Sequence, residues 1–350
     1  MQDADTRLDQ LGHLEDLPQV YRDALKHQNL VPLWPSLRAL LPPHAPVRQT
    51  QSVHWAYAAL RPLLMQAGEL TPIEKAERRV LVLANPGHGL ETMKVSPAIY
   101  LGMQLLLPGE CAPGHRHSPN AARMVIEGEG AHTTVDGEAT PMQRGDLILT
   151  PTGLWHEHEH TGTGPVIWLD VLDLPIIHYA ETSYLIEEGP RQAVRPGHGE
   201  CTYTRGGVVP SPQFVRSDKG YPLLRYPWVD VRAALLALAS DQPKLEAVQV
   251  TYVNPETGRD AQNNLGFHAL MLRPWLHRCD AAQPPRRPTS VRLHGRRKSP
   301  APQTGRIRKP GLKGPGGLGR MRSRGRTMPS DRKPAGNAAS FFRFRPSVPA

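Results

Sequence analysis

Residues 109–130 read GECAPGHRHSPNAARMVIEGEG. His115 and His117 stand one residue apart, between a Gly-Glu turn and a run with the texture of a strand. In a strand, residues i and i+2 point to the same side, so both imidazoles can face one metal ion. Taken alone, a His-x-His pair is most often a surface pair on an edge strand. A third ligand has to come from elsewhere. The places where a glutamate ligand would follow such a pair hold Ala121 and Ala122.

A third histidine is offered by residues 144–160, RGDLILTPTGLWHEHEH. Strand alternation puts His156, His158 and His160 on one face and Glu157 and Glu159 on the other. Three neutral imidazoles suit a mid-to-late first-row divalent ion such as Fe, Zn or Cu, with positions left for substrate. Between and around these stretches, residues 97–178 alternate short apolar strands with Gly, Pro and Asp-Gly turn signals. That pattern predicts an all-β sandwich or barrel.

Outward from the barrel, residues 5–30 have helical periodicity, 53–65 read as a short helix and RRVLVLAN at 78–85 reads as a strand. Residues 179–265 form a long connection with a helix at VDVRAALLALAS. A strand then begins at LGFHALMLRP, matching LGMQLLLP at 101–108 as the start of a repeat. Its continuation is missing. Residues 274–350 carry 19 of the 42 Lys and Arg and only 2 of the 32 Asp and Glu. The tail is therefore +17 and the preceding 273 residues are −7, although the chain as a whole is +10.

Cys111, Cys201 and Cys279 are scattered and form no C-x-x-C pair, which predicts a reduced, cytoplasmic setting. The acidic amphipathic start MQDADTRLDQLGHLEDL has no signal-peptide pattern, and no apolar run nears the ~20 residues of a membrane span.

GECAPGHRH fits Gly, five residues, His, x, His, and GDLILTPTGLWH fits Gly, five residues, Pro, x, Gly, two residues, His. These are the two cupin motifs, so the region resembles a cupin, a jelly-roll barrel. The motif asparagine expected after His156 is His160. The longer stretches HRHSPNAARMVIEGEGAHTTVDGE and PVIWLDVLDLP resemble the gentisate 1,2-dioxygenases and the related salicylate and 1-hydroxy-2-naphthoate dioxygenases over roughly residues 10–273. That family is bicupin, homotetrameric and Fe(II)-dependent, and it too uses three histidines and lacks the glutamate.

The resemblance implies His115, His117 and His156 as Fe(II) ligands. It implies Arg123 and Arg79 as arginines that meet the substrate carboxylate. It places Gln104, Asp170 and Tyr100 at the substrate, Tyr100 where a tryptophan is frequent. His158 would line the substrate site and serve as a hydrogen-bond or acid/base group. Apart from the resemblance, Arg123 could be a surface salt bridge and Asp170 a barrel-closing acceptor, while Trp155 and Trp168 read as core. The implied activity is extradiol-type cleavage of gentisate by O2 to maleylpyruvate in aromatic catabolism. The alternatives are cleavage of salicylate or 1-hydroxy-2-naphthoate, another cupin enzyme, or a non-enzymatic metal- or ligand-binding cupin.

The expected organisation is then an N-terminal segment with first strand (1–90), a metal-bearing cupin (91–178), the connection (179–265) and the start of a second cupin (266–273). The basic tail (274–350) reads as a nucleic-acid-binding arm, a disordered extension or, the favoured reading, the product of a shifted reading frame. Small aromatic hydroxy acids and O2 are the expected partners, with no membrane and no nucleic acid. Loss of a second barrel would remove packing and assembly surface, so a chain without it is expected to be unstable or inactive, and the family's tetramer is not carried over to it.

Overall fold

The computed structural model describes residues 12–187, 195–196, 198–203, 207–214, 220–273 and 340–346. In chain order the barrel strands are β1 (Arg79–Val82), β2 (Tyr100–Leu106), β3 (Cys111–His117), β4 (Ala121–Glu127), β5 (Glu129–Val135) and β6 (Glu138–Gln143). They continue as β7 (Leu147–Thr150), β8 (His156–His160), β9 (Val166–Leu172), β10 (Leu185–Glu187), β11 (Arg195–Pro196) and β12 (Arg225–Tyr226). One sheet runs β1-β2-β9-β4-β7-β12 and the other β10-β3-β8-β5-β6-β11. All pairings are antiparallel except β11 with β6. Apart from the β1-β2 and β5-β6 pairs, neighbours in each sheet are not consecutive in sequence, as in a jelly roll.

Strand alternation divides the side chains between two environments. Leu106, Val125, Ala131, Met142, Ile148, Val166 and Trp168 form one buried cluster with Ile73. The intervening residues Ala122, Leu147, Leu149 and Val171 belong to another, together with residues from beyond the barrel. Because the period is two, a slip of one residue would exchange these sets.

Helix α1 (Gln19–His27) has no buried residue. Helix α2 (Tyr57–Leu70) lies on the first sheet, where Leu64 is fully buried against Leu83, Met103, Leu105 and Ile167. It runs past the expected limit of residue 65, through Pro62 to Leu70. Arg61 holds the helix to the barrel through Glu127 at 2.7–2.9 Å, and the Tyr57 hydroxyl donates to the same carboxylate at 2.6 Å.

The barrel sheets reach outside the expected 91–178, since β1 and β10–β12 extend them. Each of these added strands stands at the end of a sheet, where it covers a row of backbone groups that would otherwise be unpaired. Helix α3 (Trp228–Asp241) follows β12 as expected from VDVRAALLALAS. Its first amide, Trp228 N–H, donates to Asp146 Oδ1 at 2.8 Å, and Arg225 Nε donates to Asp146 Oδ2 at 2.7 Å. The turn before β7 thus caps the helix. Gly145 (φ +92°) makes this approach possible, because a Cβ there would sit 2.6 Å from the Trp228 ring.

A third sheet contains β13 (Ala247–Thr251), β14 (Leu265–Leu272) and β15 (Ser340–Pro346). β14 is the strand read as the start of a repeat. Its Leu265, Phe267, Ala269 and Met271 join the cluster that holds Ala122, Leu149 and Val171. The tail carries a strand that its composition did not predict: Ser340–Pro346 pairs antiparallel along β14, from Leu265↔Pro346 to Met271↔Ser340. SFFRFRP has the aromatic content that favours strands, masked by the surrounding basic, Pro-rich sequence. The expectation for residues 274–339 lies outside the described residues.

Candidate metal centre

β3 and β8 are neighbours, with His115 directly opposite His156 across an irregularity in the pairing. That register brings the histidine pair and the third histidine together. One nitrogen from each of His115, His117 and His156 lies within 4.8 Å of the others. The ring centroids are 4.1 Å apart for His115–His156, 4.8 Å for His117–His156 and 5.3 Å for His115–His117.

Two of the rings have their tautomer fixed by a carbonyl, which can only accept. His117 Nδ1 donates to Pro119 O at 2.8 Å and His156 Nδ1 donates to Leu154 O at 3.0 Å. Each Nε2 is therefore left as a bare lone pair, the form a metal takes. His156 Nε2 is buried with no hydrogen-bond partner among the described residues. His115 Nδ1 lies against the Arg78 guanidinium, which also donates to Pro113 O at 3.0 Å.

Electrostatics keep the rings neutral. Burial, then Arg78, His117 and Arg123, lower the His115 pKa to about 2. Burial is also the main cause at His117, lowered to about 4 with Arg123 and Arg78 contributing against the Pro119 hydrogen bond. Burial and then Arg123 take His156 and His158 well below the usual histidine range. A buried, uncharged three-imidazole set with an orphaned nitrogen fits a divalent cation, which requires deprotonated ligands.

Across the barrel interior, β4 and β9 supply a buried ion pair. Arg123 Nε lies 3.1 Å from Asp170 Oδ1, and the residues are opposite one another in register. Trp168 Nε1 donates to Asp170 Oδ2 at 3.0 Å. Burial raises the Asp170 pKa against the pull of Arg123 and Trp168. Arg123 Nη1 donates to Thr150 Oγ1 at 2.9 Å. Its Nε is buried and has no hydrogen-bond partner among the described residues beyond the ion pair with Asp170.

His158, on the same face as His156, has its Nδ1 3.0 Å from Thr133 Oγ1 and a buried, unpartnered Nε2. Gln104 is buried with an unpartnered Nε2. The Tyr100 hydroxyl lies over Gly102, which is opposite Asp170 in register. Burial and then Asp170 raise the Tyr100 pKa. Unpartnered polar atoms on His156, His158 and Gln104 mark this interior as built to receive a polar ligand.

Arg79 is not brought to this cluster. It lies opposite Leu105 on β2 and points to the helix side, pairing with Glu110 and facing the carbonyls of Gly68 at 3.3 Å and Thr71 at 3.5 Å. Its neighbour Arg78 faces the histidines instead, because alternate residues leave opposite sides of the strand. The alternation of Arg78 with Val80 and Val82 was the available signal. Thr150 and Thr133, which hold Arg123 and His158, gave no signal in the sequence. His160 takes no part in the cluster: Gly162 N–H donates to its Nδ1 at 3.2 Å, and its Nε2 donates to Gly164 O at 2.5 Å.

Two largely antiparallel sheets enclosing three inward histidines define a cupin, and the cupin domain family matches residues 102–172. Among known proteins, the chain is 74% identical to gentisate 1,2-dioxygenase of Ralstonia sp over 265 residues, covering 76% of this chain and 74% of the relative. The crystal structure of salicylate 1,2-dioxygenase from Pseudaminobacter salicylatoxidans superposes with a TM-score of 0.68 at 33% identity, covering 74% of this chain and 76% of that one. Its adduct with gentisate matches with a TM-score of 0.67 at 33% identity, covering 74% of each chain. The chain belongs to the gentisate 1,2-dioxygenase family. No helix among the described residues is long and apolar enough to cross a membrane.

Proposed function

We propose that this protein is an Fe(II)-dependent dioxygenase that opens gentisate between its carboxyl-bearing and adjacent hydroxyl-bearing carbons, giving maleylpyruvate. The observation that carries the reading is the buried, unpartnered Nε2 of His156 inside the His115–His117–His156 cluster, with Arg123 close by. The high identity to a named gentisate 1,2-dioxygenase supports the substrate. Iron held by the three histidines would supply coordination of the substrate's carboxylate and adjacent hydroxyl and the activation of O2.

The chain's own groups do the rest. Arg123, fixed by Asp170 and Thr150, presents its remaining N–H groups to the substrate carboxylate. Arg78, in place of Arg79, adds a second positive charge beside His115. Neutral ligands leave the substrate's negative charge to balance the cation. His158 Nε2 and Gln104 Nε2 offer hydrogen bonds to ring hydroxyls, and His158 is the group able to accept or return a proton there. Trp168, its ring centroid 5.2 Å from that of His158, closes the apolar floor and excludes water. Both atoms of O2 enter the product, so no external reductant is required.

The test is anaerobic loading with Fe(II), followed by gentisate, salicylate and 1-hydroxy-2-naphthoate in air-saturated buffer. Oxygen uptake and the product absorbance band are expected with gentisate. Turnover of only the other two would reassign the substrate, and silence from iron-replete, folded protein would sink the dioxygenase reading.

The residues named here lie between Arg78 and Asp170, so the reading does not depend on the tail. For residues 274–350 we propose a shifted reading frame that replaces a second cupin. It rests on the repeat that begins at LGFHALMLRP and on the abrupt basic, Pro- and Gly-rich composition that follows. Resequencing around codon 274 tests it. An intact frame with matching tail peptides by mass spectrometry overturns it.

A further inference from the structure

Between Arg123 and the segment that leads into β14 runs a set of buried hydrogen bonds that converge on the Ala121 carbonyl. Arg123 Nη1 lies 2.9 Å from Thr150 Oγ1, and Thr150 Oγ1 lies 3.1 Å from Ala121 O. Gln262 Nε2 reaches the same carbonyl at 2.8 Å, from 141 residues further along the chain. Arg123 and Gln262 are 4% and 1% exposed, and Thr150 and Ala121 are equally enclosed.

The direction of each bond is fixed by what each group can do. A guanidinium only donates and a carbonyl only accepts, while a hydroxyl has one proton. Thr150 must spend that proton on Ala121 O, which turns an oxygen lone pair toward Arg123. The register places the parts: Ala121 is opposite Thr150, and Arg123 is two residues along the same face of β4. Asp170 lies 3.1 Å from Nε as an ion pair, while the hydrogen bond from Nη1 to Thr150 supplies the directional restraint on the guanidinium. Gln262, by donating to the acceptor of Thr150, ties that carbonyl to the segment after the connection.

We propose that Thr150 and Gln262 are positioning residues, which set the orientation of Arg123 toward the substrate carboxylate. The inference rests on the dioxygenase reading above. It extends the site beyond the first barrel, because the last link comes from the approach to β14.

The test is anaerobic calorimetric titration of the Fe(II)-loaded full chain with gentisate and with catechol, which chelates but has no carboxylate. Thr150→Val is expected to weaken gentisate about tenfold, as loss of one hydrogen bond to a charged group implies. Catechol binding should be unchanged, and Thr150→Ser should restore gentisate binding. Gln262→Leu should weaken gentisate by roughly threefold with the same selectivity. Equal loss of both ligands, or wild-type gentisate affinity in Thr150→Val, overturns the role of Thr150. Wild-type affinity in Gln262→Leu overturns that of Gln262. A wild-type protein that binds neither ligand instead removes the dioxygenase reading, and this inference with it.

Discussion

On four strands a single two-residue step separates the two ends of the barrel interior. β2 places Leu106 at one end and Gln104 toward the other. β4 changes from Val125 to Arg123, β7 from Ile148 to Thr150 and β9 from Trp168 to Asp170. All eight side chains are buried. The apolar end is held by area removed from water, the polar end by matched donors and acceptors with a few groups left unpartnered. Backbone and sheet are shared, so the division lies in side-chain chemistry alone. The apolar end supplies a stable floor, and the polar end can then keep unsatisfied groups for a ligand.

The comparison can be broken most completely at the polar end. His156→Ala should abolish metal retention through desalting, read by elemental analysis, while thermal unfolding stays cooperative. At the apolar end Trp168→Ala should lower stability by about 3–5 kcal/mol in denaturant titration, as for other buried aromatics. Trp168→Phe should keep most of that stability and remove only the bond to Asp170, which separates floor from site.

Arg78 and Arg79 sharpen the contrast between the two faces of one strand. Arg78→Met should weaken gentisate binding about tenfold, the order of one charge-assisted contact. Arg79→Met should leave binding intact and instead lower stability, because Glu110 loses its buried partner. Reversed outcomes would move the second cation back to Arg79.

The smallest effect lies outside the barrel, where helix α2 is held by Glu127. Hydrogen bonding to Arg61 lowers the Glu127 pKa against burial, with Tyr57 assisting. A carboxylate lowered in the folded state stabilises above its unfolded pKa, and the benefit fades as pH falls through the folded value. The stability difference between wild type and Glu127→Gln should therefore be steady near neutrality and close in acid. A difference that grew on acidification would contradict the assignment.

The three histidines and the cupin class were legible because their spacing repeats known turns and strand alternation. Arg123, Asp170 and Gln104 followed from the family resemblance, and the structure places them facing the same interior. The resemblance named Arg79, whereas the structure turns Arg79 to the helix side and Arg78 to the histidines; adjacent arginines look alike until the strand's facing is known. Thr150, Thr133 and Gln262 were illegible for a different reason: each acts through a partner strand or a distant segment. The strand at 340–346 was hidden because pairing with β14 is a non-local property that composition does not report.

β14 and helix α3 have one further consequence. Phe267 and Leu265, with Leu235 of the helix, fill the same cluster as Ala122, Leu149 and Val171 on the outer wall of the barrel. A fragment ending at residue 178 would leave that wall greasy and wet. The portable module, for gene fusion or for domain shuffling in evolution, therefore ends near residue 272 rather than at the last barrel strand. What looks like a linker between two repeats is inherited as part of the first.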